Sequence, residues 1–545
     1  MQDKIKTVTG NIVDVVHSRI YPGSLKIVRG RIVDIIEEKK RYDTHVVPGL
    51  VDSHIHIESS MVPPSELARV AVIHGTVATV SDPHEIANVL GVAGVTYMLD
   101  NAKIVPLKFY FGAPSCVPAT NLETSGAYVG PKEVAELLQI KEIKYLAEVM
   151  NVPGVLNEDP GIMQKILSAK KLSKPIDGHA PGLRGKGLEK YVKSGISTDH
   201  ECLTLDEALE KINIGMKILI REGSAAKNFE EFISLAPTHY KNLMFCSDDK
   251  HPDDLIKGHL NELVKKALHR GIDPLKVFHI ASVNPVLHYG LEVGLLCKGD
   301  PADFIEIDNL ESFNILRTYI NGEIVAENGK SLLPRTAPKI INNFKVHMKN
   351  IEDFRLSYEN KKLNVIEAID GQLITNWLKA SPKNVNGYAV SDPENDILKL
   401  VVVNRYQEAK VAIGFIKNFG LKKGAIAGSV AHDSHNIISV GVTDEDICTA
   451  VNVVIENKGG ICAVAEDKKI VLPLPIAGIM SHEDCFKVAQ RYTEIDTIAK
   501  TLGSGLKAPF MTLSFMALPV IPKLKLCDQG LFDGERFRFI NVFEA

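Results

Sequence analysis

The chain has 545 residues, 45% of them hydrophobic and 24% charged, with a formal net charge of −4. This is ordinary globular composition with material for roughly three or four domain equivalents, and it offers no electrostatic case for nucleic acid or an anionic membrane surface. A small neutral ligand suits the balance.

Residues 1–6 have no apolar core of signal-peptide length, and no stretch approaches the roughly 18 apolar residues that span a bilayer. The sequence therefore predicts a cytoplasmic protein. Its eight cysteines are scattered without a Cys-x-x-Cys pair, which predicts reduced thiols and argues against a thiolate zinc site. Residues 1–46 hold two β-like runs, 11–16 and 24–36, with turn signals at Pro22-Gly23 and Gly30. A similar pattern returns at 290–345, where Asn321-Gly322 interrupts an apolar run as a two-residue hairpin would. The two segments are expected to pair into one small β-sandwich-like domain.

Between them, residues 47–289 alternate strand-like runs with helical stretches such as 131–139, 206–212 and 253–270, the signature of βα units and a parallel sheet. Eight runs end near His56, Glu85, Ser115, Glu148, His179, Glu201, Glu222 and Asp249. The predicted fold class is α/β: a (β/α)8 TIM-like barrel, whose chemistry belongs at the carboxyl ends of the strands, with the small β domain built from both flanks and a further α/β domain at 346–545.

Those strand ends are rich in ligands. In Val47-Pro48-Gly49-Leu50-Val51-Asp52-Ser53-His54-Ile55-His56, alternate side chains of an extended strand share a face, so His54 and His56 can reach one cation. Run four ends in Glu148, run five in His179, run six in His200 and run eight in Asp248. Nitrogen and oxygen donors without thiolate suit Mn²⁺, Fe²⁺ or Zn²⁺, and six ligands exceed what one catalytic metal takes. Two divalent ions sharing a carboxylate, activating water for hydrolysis, are the expectation. Asp82, His84 and Glu85 end the second run and Glu201, Arg221, Glu222 and Asp249 later ones, placed to contact a ligand or to orient one. Arg221 and Glu222 are expected to pair with each other. Residues 510–522 read as a buried strand or core segment. Ala431-His432-Asp433-Ser434-His435-Asn436 is donor-rich and follows Gly424 and Gly428, which leaves two readings, a lid closing over substrate and a hydrogen-bonded turn.

The Pro-Gly-Leu-Val-Asp-x-His-x-His run, the later single histidines and the last-strand aspartate resemble the amidohydrolase superfamily. Within it, four segments are similar to the bacterial adenine deaminases: His54-Ile55-His56-Ile57-Glu58-Ser59-Ser60-Met61, Ser81-Asp82-Pro83-His84-Glu85-Ile86-Ala87-Asn88, Ala147-Glu148-Val149-Met150-Asn151, and Asp177-Gly178-His179-Ala180-Pro181-Gly182. Two further segments, Gly428-Ser429-Val430-Ala431-His432 and Leu472-Pro473-Leu474-Pro475, resemble the carboxyl-terminal domain of those enzymes. The resemblance implies hydrolytic deamination of adenine to hypoxanthine and ammonia, in purine salvage or catabolism, by a metal-activated hydroxide attacking C6. It implies two divalent ions per subunit, Mn²⁺ foremost with Fe²⁺ or Zn²⁺ as alternatives, held by His54, His56, Glu148, His179, His200 and Asp248. Glu148 stands where several relatives carry a carbamylated lysine, so a glutamate bridge is implied. Asp248 is the expected proton shuttle, with Glu201 and His84 as further catalytic groups and Asp82, Glu85, His432 and Asp433 against the purine. A homo-oligomer, a dimer, is the expected assembly. The alternative is another binuclear amidohydrolase acting on a cyclic amide or N-acyl substrate. The cytidine-deaminase type is excluded because its Pro-Cys-x-x-Cys ligands are absent.

Overall fold

Gly49 divides the first motif between two sheets. A Cβ at this position would lie 2.4 Å from Val77 Cγ2, so only glycine lets the chain cross so close to the neighbouring strand. In the computed structural model, which describes residues 5–466 and 468–544, His45–Pro48 pairs antiparallel with Phe304–Ile307 while Leu50–Ile55 opens the barrel. Residues 1–4, the start of the segment read above as lacking a leader's apolar core, lie outside the described residues.

The small domain is built on one eight-stranded sheet that curls until the turns at Gly30 and Asn321 meet. Its order is Lys330–Ser331, Glu323–Glu327, Ile315–Ile320, Phe304–Ile307, His45–Pro48, Lys6–Asp14, Arg19–Val28 and Arg31–Glu37. Asn321 and Gly322, at φ +48° and +71°, make the two-residue hairpin turn between Ile320 and Glu323. Pro22-Gly23, expected as a turn, instead lies inside strand Arg19–Val28, opposite Asn11 and Gly10. Gly23 is there for closeness, since a Cβ would meet Ile36 O at 2.7 Å and Ile12 Cδ1 at 2.9 Å. The turn falls at residues 15–18, ending on Ser18 at φ +54°.

Eight parallel strands form the barrel: Leu50–Ile55, Thr76–Ser81, Lys108–Ala113, Ile143–Val149, Ile176–Gly178, Thr198–Asp199, Lys217–Arg221 and Leu243–Cys246. The ring closes where Ser197 N donates to Ile176 O at 2.9 Å and Asp248 N to His54 O at 3.0 Å. Helices cover the outside, so the strands are buried on both faces. The second strand stops at Ser81, and Pro83, which has no N–H to donate, precedes the helix His84–Leu90. His84 and Glu85 therefore reach the mouth from a first helical turn and not from a strand end. The helix expected at 253–270 is two, Pro252–Leu255 and Leu260–His269, parted at Gly258, where a Cβ would lie 2.4 Å from Glu262 Cγ.

The carboxyl-terminal half is built on a second eight-stranded sheet, ordered Thr375–Ala380, Leu363–Ala368, Ala412–Lys417, Ile397–Val403, Ile437–Gly441, Ala425–Gly428, Gly460–Ala465 and Lys468–Pro473. Helix Asp444–Glu456 packs its Ile447, Val451 and Val454 on one face, N-capped by Thr443. Residues 510–522 are buried from Phe510 to Leu518 as helix Pro509–Ser514 and a single tighter turn at Phe515–Ala517, not as a strand. All eight cysteines are free thiols. Among the described residues no helix is long and apolar enough to cross a membrane.

Candidate metal centre and active site

His54 and His56 project from the end of the first barrel strand, both buried, with their Nε2 atoms 3.1 Å apart. Asp248 Oδ1 lies 3.5 Å and 3.3 Å from those two nitrogens. Asp248 takes this place because its backbone leaves the eighth strand at φ +53°, a conformation unusual for a residue with a Cβ and one that clusters at functional sites. Behind the histidines, Asp52 ties strand one to strand eight by accepting from Ser247 N at 3.1 Å and lying 2.8 Å from His259 Nε2.

Glu148 divides the site in two. Its Oε1 lies 3.4 Å from His56 Nε2 and 3.6 Å from His84 Nδ1. Its Oε2 lies 2.7 Å from His179 Nδ1 and 3.3 Å from His200 Nε2. Burial alone would push this carboxyl up, but His179, His200 and His56 hold it well below the usual range. Burial and the nearby His54 push His200 down to about 4, so its ring nitrogen keeps a lone pair. The rings of His54 and His200 stack at 4.2 Å.

Asp248 and Glu201 share one cation. Arg221 donates from Nη1 to Asp248 Oδ2 at 2.8 Å and forks onto both oxygens of Glu201, the Nη2 to Oε2 bond being 2.9 Å. Burial raises and Arg221 lowers both acids, and both end below their ordinary values. The expected Arg221–Glu222 pair does not form. Successive side chains at a strand end point to opposite faces, so Arg221 turns inward while Glu222 turns outward to Lys266, 2.6 Å away. Asp249 is met by the Ser59 hydroxyl at 2.5 Å.

The carboxyl-terminal half supplies the rest of the mouth. A cavity is lined on the barrel side by His56, His84, Glu85, Glu148, His179, His200, Glu201 and Asp248, and on the other by Leu373, His432, Asp433, Phe515, Leu518 and Ile521. Residues 431–436 form a buried turn. His432 Nδ1 and His435 Nε2 each close on one oxygen of Glu85. The His432 ring stacks on Phe515 at 4.3 Å and 13°. Asp433 Oδ1 stands 4.0 Å from His84 Nε2, and burial pushes its carboxyl up to about 6 against the pull of His84.

The comparisons with known proteins follow the same division. Residues 45–325 match the Amidohydrolase family and residues 372–538 the Adenine deaminase C-terminal domain. The chain is 55% identical to the adenine deaminase of Sulfurovum sp. (strain NBC37-1) over 97% of its own length and 98% of that protein. It is 51% identical to that of Salinibacter ruber, covering 98% and 99% of the two chains, and 51% identical to that of Methanosarcina mazei, covering 99% and 100%. The chain belongs to the adenine deaminase family. Among solved structures, a β-aspartyl dipeptidase from Fervidobacterium islandicum AW-1 is 15% identical, with a TM-score of 0.47 over 60% of this chain and 98% of that one.

Membership of the amidohydrolase group implies a divalent metal, and the donors fit one. Two imidazole nitrogens 3.1 Å apart, with a carboxylate within 3.5 Å of each, are spaced as ligands of a shared cation. His54, Glu148 and His200 make a second such group, and His56, Asp82, His84 and Glu148 a third. Asp82 Oδ2 and His84 Nδ1, 3.3 Å apart, are buried without a hydrogen-bond partner among the described residues. In this member of the adenine deaminase family, all the metal-ligating, catalytic and substrate-binding residues expected from sequence meet at one barrel mouth. His435, read in the sequence only as one donor of a turn whose role stayed open, and Phe515, within the segment read as buried core, also belong to this mouth. A second histidine three residues after His432 was a signal for the first; no motif marks the second.

Proposed function

We propose that this chain hydrolyses adenine to hypoxanthine and ammonia at the cavity between residues 47–289, the catalytic barrel, and residues 346–545, which close its mouth. The observation that carries the reading is the Glu148 carboxylate, whose two oxygens face two separate groups of imidazoles. We assign two divalent cations, Mn²⁺ foremost with Fe²⁺ or Zn²⁺ as alternatives, to His54, His56, Glu148, His179, His200 and Asp248. When bound, they supply Lewis acidity that makes water a nucleophile near neutral pH.

The chain's own residues have separable tasks in this reading. Water provides both protons of the reaction: one leaves on ammonia and the other ends on N1 of the product. Asp248, kept ionised beside Arg221, accepts the first and passes it on. Glu201, oriented by the same guanidinium, and His84 are placed to complete the transfer. Glu85, His432 and Asp433 line the cavity and face the purine, Asp82 stands behind them beside His84, and Leu373, Phe515, Leu518 and Ile521 exclude bulk water from the purine.

The test strips the protein of metal, restores Mn²⁺, Fe²⁺ or Zn²⁺ separately, and follows ammonia release and the absorbance change from adenine to hypoxanthine, with adenosine and cytosine alongside. Metal-restored turnover of adenine is expected. No turnover with two metals bound overturns the reading in favour of a cyclic-amide or N-acyl substrate.

A further inference from the structure

We propose that His435 is a positioning residue: its Nε2–H fixes the carboxylate of Glu85, and through it the His432 ring whose Nε2 faces the substrate cavity. The inference rests on the reading of that cavity as the adenine site.

Glu85 is 2% exposed, and its two oxygens are engaged by two imidazoles of a single turn, 347 and 350 residues away in sequence. A buried carboxylate needs such partners. The roles of the two rings differ. The backbone N–H of Ala431 points at Nδ1 of His435 from 3.3 Å, and a backbone N–H can only donate. Nδ1 of His435 therefore holds a lone pair, and the ring proton sits on Nε2, directed at Glu85 Oε2. His435 is thus a fixed donor whose tautomer is set by its own turn.

His432 has a free end. Its Nδ1 is spent on Glu85 Oε1, while its Nε2 is buried without a partner among the described residues, and the ring lines the cavity with Phe515 stacked on its face. The turn that carries both rings is itself braced. Tyr406 Oη donates to Ser434 O at 2.6 Å, Arg405 N to Asn436 Oδ1 at 3.1 Å, and His432 N to Ser514 O at 3.0 Å. With the turn held, removing the His435 donor frees one oxygen of Glu85 and lets the carboxylate rotate, so the angle of His432 is no longer defined.

The experiment compares H435M, which fills the volume without a donor, with H435Q, whose amide N–H₂ can replace Nε2–H, both as metal-loaded full chains. H435M is expected to lose about 10- to 100-fold in kcat/KM for adenine, the range typical of a lost orienting partner, and H435Q to stay within about five-fold of wild type at unchanged metal content. Equal rates for the two variants overturn the proposal. A second arm does not depend on turnover: ring-nitrogen spectra of ¹⁵N-histidine-labelled, Zn²⁺-loaded protein should show His435 as the neutral Nε2–H tautomer, shifting together with His432 in Glu85→Gln. An Nδ1–H form, or no response to Glu85→Gln, overturns it even where H435M does not fold. Adenine-inert wild type with the expected spectrum would sink the deaminase reading and leave the clamp standing.

Discussion

Lys211→Met tests the ion network beneath the metal centre. Lys211 is fully buried and gives its three donors to Asp199 Oδ2 at 2.7 Å, Glu207 Oε1 at 2.6 Å and Ala180 O at 2.7 Å. Asp199 in turn accepts from Ala180 N at 3.0 Å and Glu201 N at 3.2 Å, so it sets the backbone beside His179 and His200. Removing the ammonium leaves two buried carboxylates without their cation, a loss of about 3–5 kcal/mol. That lowers the barrel's transition temperature by on the order of 10 °C. The pH dependence has a definite sign. Burial raises Asp199 but Lys211 brings it down to about 2, from an ordinary 3.8. In wild type this shift contributes about 2 kcal/mol, present above pH 3.8 and lost as the pH falls through about 2. In the variant burial is unopposed by Lys211 and the Asp199 pKa rises, so the penalty grows with pH from 3.8 upward, while the native group stays protonated and the unfolded one ionises, and levels off above the raised pKa. Calorimetric scans of metal-free protein should therefore show a wider gap between wild type and variant at pH 8 than at pH 5. A gap below about 1 kcal/mol at pH 8, or one that widens on acidification, would refute the reasoning.

Four further outcomes can be checked. Glu148→Ala should lower bound metal, measured by elemental analysis after gel filtration, to about half of wild type or less, because one residue serves both imidazole groups. Arg221→Met should cost about 100-fold in kcat and move the acid limb of the pH–rate profile to higher pH, since Asp248 and Glu201 lose the cation that depresses them; Arg221→Lys should restore only part, because an ammonium cannot fork onto both oxygens of Glu201. Phe515→Ala, which removes the ring on His432 and part of the apolar wall, should raise KM for adenine about ten-fold with a smaller change in kcat. Chelation should lower stability by about 3–4 kcal/mol relative to protein held at 100 to 1,000 times the metal's Kd, read as a concentration-dependent thermal shift.

The candidate metal residues were legible in the sequence because each sits at or just past the carboxyl end of a barrel strand, where a local rule places side chains: the period of two puts His54 and His56 on one face, and single acids and histidines at other strand ends converge by the geometry of closure. The same kind of local reading misled at three other places. Pro83 stops the second strand early, so His84 and Glu85 arrive on a helix. At Arg221-Glu222 charge complementarity suggested a pair, yet adjacent strand residues face apart. Gly23 looked like a turn residue and is instead a close-packing residue in a strand. The grip of His432 and His435 on Glu85 spans about two thirds of the chain, and nothing local in either segment names its partner.

That long-range grip explains why the barrel carries a second domain at its mouth. Asp82, Glu85, Glu148, Glu201 and Asp248 are all buried there, and buried carboxylates are tolerated only when paired or coordinated. The barrel pairs two of them itself, through Arg221 to Glu201 and Asp248. Glu148 meets the histidines of strands one, five and six. Glu85 has His84 Nε2 at 3.4 Å but finds both of its direct imidazole partners in the turn at 431–436. Without that turn, Glu85 would stand at the mouth with solvent as its main partner, and its orientation toward the cavity would be one of many. The carboxyl-terminal half therefore does more than cover the site: it supplies the partners that make one barrel carboxylate rigid, and with Phe515 and Leu518 it lowers the dielectric around all the others.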